Sequence, residues 1–117
     1  MSTIKVDNIR IASESVSRPA TGVAAVWGVT ANDATVLDGQ SYGVTTTVNE
    51  EDGKTTVNFA AAFSTPTYPF VVTSQSSNAR CQTLNAQTTL SIVMHNKNCD
   101  NVYSASIMRF QSGGELA

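Results

Sequence analysis

Residues 42–72 constrain the fold more than any other part of this 117-residue chain. On both sides of Asp52-Gly53, apolar residues alternate with small polar ones. Val44 and Val48 enclose three threonines before the polar turn at 49–53, and Thr55, Thr56, Val57, Asn58 and Phe59 follow it. A period of two sends successive side chains to opposite faces, so the two runs predict a half-buried antiparallel hairpin. Asp-Gly is the dipeptide that a tight hairpin turn favours. Pro66 and Pro69 then form a corner, because proline cannot donate to a strand ladder, and a further strand is expected at 70–74. No cluster of titratable residues lies inside this frame, which suits a chain that presents a surface more than one that runs a reaction.

Composition agrees. Only 14% of residues are charged, and Thr, Val, Ser and Asn are abundant; β-branched side chains pack well on a pleated surface, which favours strands over helix. A chain of this length buries roughly two-thirds of its unfolded surface, enough for one core. The net charge of −2 comes with seven scattered basic residues, whereas nucleic-acid or anionic-membrane binding needs Lys and Arg in a patch. No nucleic-acid partner and no membrane insertion are therefore expected. No apolar run approaches the ~20 residues that span a bilayer, and no charged-then-apolar leader opens the chain, so a soluble protein made in the cytoplasm is expected.

Along the chain, Ile4, Val6, Ile9 and Ile11 form a short strand-like run, followed by an unpatterned polar stretch that ends at Arg18-Pro19. Residues 1–20 are expected to be an N-terminal arm and linker, with the alternative of a first strand and a long loop. Residues 21–110 form the predicted β-sandwich head. At 21–29 both faces of the run are apolar, which predicts a central strand or a subunit contact with Trp27 in the core. Further strands are expected at 35–37, 80–84, 88–95 and 102–110, with 60–63 closing the hairpin's second strand. Residues 111–117 have no pattern and are expected to be a loose tail. Short strands with turn signals between them predict an all-β fold, an antiparallel β-sandwich or jelly-roll-like domain.

The opening run at 3–9, Ala25-Val26-Trp27, Tyr42-Gly43-Val44-Thr45-Thr46, the strand at 55–59 closed by Phe63, Tyr68-Pro69-Phe70-Val71-Val72 and the closing stretch at 102–110 share an order and spacing. Over nearly the whole chain they resemble small tail-fibre-type structural proteins of bacteriophages, especially those of aquatic bacteria. The resemblance implies a virion protein assembled in the host cytoplasm, with an N-terminal arm and a β-rich homotrimeric head. It also implies contacts with other virion proteins of the tail, baseplate or capsid and with a host-surface glycan or protein. The chain departs from the pattern in having no fibrous or heptad region between arm and head, which leaves a fibre tip, a baseplate ornament or a capsid decoration protein as forms of the role. The assembly residues would be Ile4, Val6, Ile9 and Ile11.

Candidate chemistry is sparse. His95 is the sole histidine, with Cys99 and Asp100 close by in sequence, a Cys/His/Asp set that would have to meet across one turn. Glu50, Glu51 and Asp52 sit on a predicted hairpin tip, where a charged run is usually a solvated turn. A small hydrolase is the weakest reading, and no catalytic residue, metal or cofactor is expected. Cys81 and Cys99 form no CxxC pattern, and free thiols are expected of a cytoplasmic product. The best contact surfaces are the loops at 76–80 and 96–101, which combine donors with turn residues: Asn78, Arg80, Asn96, Lys97, Asn98 and Asn101.

Overall fold

The computed structural model describes residues 3, 5–9, 12, 18–19, 24–76 and 78–117. Among the described residues ten strands follow in order: β1 (Asn8–Ile9), β2 (Arg18–Pro19), β3 (Val26–Thr30), β4 (Val36–Tyr42), β5 (Val44–Glu51), β6 (Lys54–Phe59), β7 (Val71–Gln75), β8 (Cys81–Asn85), β9 (Ser91–Lys97) and β10 (Ile107–Ser112). Apart from the small β1–β2 ladder they make two antiparallel four-stranded sheets, ordered β4-β3-β10-β7 and β5-β6-β9-β8. The two sheets pack face to face as a β-sandwich.

The alternation of residue types decides which face is inward. Val26, Gly28 and Thr30 of β3 and Met108, Phe110 and Ser112 of β10 turn in from the first sheet, and Thr55, Val57 and Phe59 of β6 and Ile92, Met94 and Asn96 of β9 turn in from the second. The predicted hairpin is β5–β6, with Thr47 opposite Val57 and Val48 opposite Thr56. Gly53 takes φ 76° in its turn, and a Cβ there would meet the Asn96 carbonyl oxygen at 2.5 Å. Only glycine tolerates both conditions. At Gly43, with φ 74°, the chain leaves the first sheet as β4 and enters the second as β5, so one residue makes the corner of the sandwich.

The core holds an aromatic group at one end. Phe63 stacks on Tyr68 at 3.9 Å, Phe59 meets both rings edge-on, and Phe70 stacks on Phe110 at 5.7 Å. Offset and edge-on aromatic pairs add to the gain from burial. Burial pushes the Tyr68 phenol up to about 12, and its hydroxyl donates to the Ser91 carbonyl.

Several sequence expectations are corrected. Trp27 is not core: it points out of the first sheet and is 40% exposed, because Val26 and Gly28 take the inward register and Phe110 closes over Gly28. The strand expected at 102–110 begins only at Ile107, since residues 103–104 instead run beside the end of β9, with Tyr103 bridged to Lys97 and Ser104 N donating to the Asn96 carbonyl. Residues 60–63 lie beyond the end of β6. The tail is not loose: Gln111 and Ser112 complete β10, Leu116 bridges Phe63, and Ser64 N and Ala117 N donate to the carbonyls of Glu115 and Ala62. The Gly114 backbone lies against the Phe63 ring and the Tyr68 Cβ, so the tail covers the aromatic end. Of the strand expected at 21–29, residues 21–23 lie outside the described residues.

Removing residues 113–117 should therefore lower stability by about 2–4 kcal/mol, through exposed aromatic surface and unpaired backbone groups. Urea unfolding of the shortened chain checks this; a change under ~0.5 kcal/mol would mean that the tail carries no packing.

Candidate functional site

Three surfaces concentrate the chemistry. The first lies at the end of the sandwich away from the aromatic group, where residues 78–80 and 98–106 flank the ends of β8 and β9. Residues far apart in sequence meet there around a hollow of about 380 Å³ lined by Asn78, Ala79, Arg80, Asn98, Cys99 and Asp100. Asn98 shapes its wall: its Oδ1 accepts from Asp100 N and Val102 N, a side-chain turn that spares the backbone an external partner. Asn101 follows with φ 62°, a left-handed conformation that asparagine tolerates. Cys99 Sγ donates to the Ala79 carbonyl across the two loops, and Cys81 and Cys99 are exposed free thiols that border one recess.

This hollow gathers three of the six contact residues expected from the sequence, Asn78, Arg80 and Asn98. Lys97 belongs to a neighbouring cluster, and Asn101 stands exposed on its turn. Asn96 is a correction: it is fully buried, with Nδ2 donating to the Ser104 carbonyl and Ser106 Oγ and Oδ1 accepting from Gln82. The β9 alternation that buries Ile92 and Met94 buries it too, so it can touch no partner. Of the arm residues, Ile4 and Ile11 lie outside the described residues, Val6 is half exposed, and Ile9 pairs with Arg18 in the β1–β2 ladder.

The second surface is the outer face of the β6–β9 end. Tyr103 lies with the Lys54 ammonium 4.2 Å and the Lys97 ammonium 4.8 Å from its ring centre, and His95 meets the ring edge at 5.3 Å. A cation over a ring face gains from the aromatic quadrupole. Lys54 also pairs with Glu51, which raises its pKa. Partial burial, reinforced by Lys54 and Lys97 and opposed by Glu51, holds the His95 pKa below the usual imidazole range. His95, Cys99 and Asp100 thus have different neighbours: a ring with two ammoniums, the Ala79 carbonyl and the hollow. Glu50 accepts from Thr56 Oγ1. Among the described residues no three His, Cys, Asp or Glu side chains gather where they could hold a metal ion, and no helix is long and apolar enough to cross a membrane.

The third surface is the outer face of the first sheet; the sequence offered the run at 21–29 as a central strand or a subunit contact but placed Trp27 in the core instead of on this face. Register aligns Tyr42, Trp27, Gln111 and Val71 in one row across all four strands. Tyr42 is 60% and Val71 56% exposed, and Arg109 beside the row donates to Gln75 Oε1. The signal available in the sequence was that the run through Trp27 is apolar on both faces, which says that two faces are covered but not by what.

No protein-family model, no curated protein and no solved structure matches the chain.

His95 generates a pH prediction. Its folded-state pKa lies below the ordinary 6.5, so the unfolded chain takes up this proton more readily. Stability should fall as pH drops through about 6.5, levelling once the folded chain also protonates. Urea unfolding across this range, compared with His95→Gln, should show a loss in the parent that the variant lacks; parallel curves would mean that the cluster does not disfavour the imidazolium.

Proposed function

We propose that this chain is a bacteriophage virion structural protein, a tail-fibre or tip module whose sandwich assembles as a homotrimer and presents loops to the host surface. The observation that carries the reading is the exposed row Tyr42, Trp27, Gln111 and Val71 on the first sheet. Exposed Tyr42 and Trp27 side by side, with Val71 beyond Gln111, are read as a contact with another molecule. A patch that docks on a different face of the next copy closes into a ring when the rotation allows, and three copies is the smallest ring of this kind beyond a pair. With the row covered, the loop end carrying the hollow stays free for a ligand. The resemblance in motif order to tail-fibre-type proteins supports the virion setting, and residues 1–20 supply the attachment to other virion proteins.

Light scattering of the full chain should give a mass three times the 12.4 kDa protomer, and Trp27→Glu should give a monomer with an unchanged melt, because a charge on the row cannot be buried unpaired. A monomeric parent, or a trimer indifferent to Trp27→Glu, overturns the assembly claim. Gold-labelled antibody on intact particles tests the setting: label at the tail end supports the reading, label over the capsid lattice replaces it with a decoration role, and unlabelled particles remove it.

A further inference from the structure

The hollow between residues 78–80 and 98–100 is lined by a guanidinium that the fold barely uses. Arg80 Nε is buried without a hydrogen-bond partner. The bond its Nη1 makes to the carbonyl of its own neighbour, Ala79, is stretched to 3.5 Å. Among the described residues no ion pair engages it, although Asp100 borders the same hollow. Buried polar groups in folded proteins are almost always paired, and an orphaned charged donor is among the costliest exceptions. In this fold Thr30 Oγ1 shares that condition, but it lies inside the sandwich on β3, whereas Arg80 is half-buried on the wall of an open hollow. The Nε itself is closed off from solvent, but Arg80 lines the hollow, and among the described residues its Nη2 makes no hydrogen bond.

The other walls narrow the chemistry of that ligand. A planar carboxylate fits the guanidinium fork with two parallel hydrogen bonds. Asp100 at the rim disfavours a polyanion and instead accepts hydroxyl protons. Asn98 Oδ1 is committed to Asp100 N and Val102 N, so its Nδ2 remains as a donor, and Asn78 adds a second amide. One acid flanked by several hydroxyls is the pattern of an acidic sugar, and about 380 Å³ lies within the range of small-molecule pockets. We infer that this hollow binds an acidic saccharide, with Arg80 taking the carboxylate and Asn78, Asn98 and Asp100 taking the hydroxyls. The inference rests on the reading of the chain as a surface-binding module and names the ligand class for its free end.

Two probes separate the sources of such a carboxylate: lactose capped with N-acetylneuraminic acid, and a hexuronate disaccharide. Each is titrated into the full chain by calorimetry beside its methyl ester, with plain lactose as the neutral reference. At least one acid should bind, and its ester should bind about tenfold or more weakly. Arg80→Gln should lose the same factor with an unchanged melt, and Arg80→Lys should recover only part of it, since an ammonium lacks the fork. In the parent, the bound acid should slow alkylation of Cys99, read by peptide mass mapping, which keeps the test independent of any variant. Absence of binding up to ~10 mM, equal binding of acid and ester, or an Arg80→Gln chain that binds like the parent overturns the inference. Acid binding with unlabelled particles would keep this site and remove the virion setting; labelled particles with no acid binding would do the reverse.

Discussion

One buried amide holds together the end of the sandwich that carries the hollow. Asn96 side-chain donors go to the Ser104 carbonyl and Ser106 Oγ, and its acceptor takes Gln82 Nε2. Its backbone N donates to the Gly53 carbonyl, while Ser104 N donates to its own carbonyl. Gln82 also donates to Ser74 Oγ on β7, so the network links the second sheet to the first along their β8 and β7 edges. A buried amide with every group paired specifies a unique arrangement, because any alternative leaves a donor or acceptor orphaned. This explains why the chain from 103 to 106 follows β9 instead of joining β10, why Gly53 has no room for a side chain, and why residues 78–80 and 98–101 converge.

The opposite end is held by a different force. There the packing is aromatic, with Phe59, Phe63, Tyr68, Phe70 and Phe110 in mutual contact and the C-terminal segment laid over them. Apolar burial is not directional, so this end supplies cohesion, and the polar end supplies register. The division leaves the loops at the Asn96 end with little apolar contact of their own, which is where binding residues are usually found on a rigid scaffold.

Much of the fold was legible from periodicity. The β5–β6 hairpin, the strand after Pro69 and the β9 alternation all follow from a period of two with turn residues between the runs. Trp27 was not legible, since a run that is apolar on both faces does not say which face meets the core; Phe110 lying over Gly28 decides it. Asn96 was misread for the opposite reason, as a polar residue in a polar stretch, although it keeps the inward parity of Ile92 and Met94. The tail lacks a pattern because it covers the core with backbone at Gly114, and backbone has no hydropathy signature. At the site, the residue types of both loops were visible, but their meeting was not, because it depends on a crossing from one sheet to the other. Tyr103 and its two lysines were missed for the same reason.

The claim that the Asn96 amide organises the loop end is tested most directly by equilibrium urea unfolding of Asn96→Ala against the parent. The account predicts a loss of about 2–4 kcal/mol, because the Ser104 carbonyl and the buried Ser106 hydroxyl would lose their partner and Gln82 would keep only Ser74. A loss within ~0.5 kcal/mol, the range of an ordinary surface substitution, would contradict it.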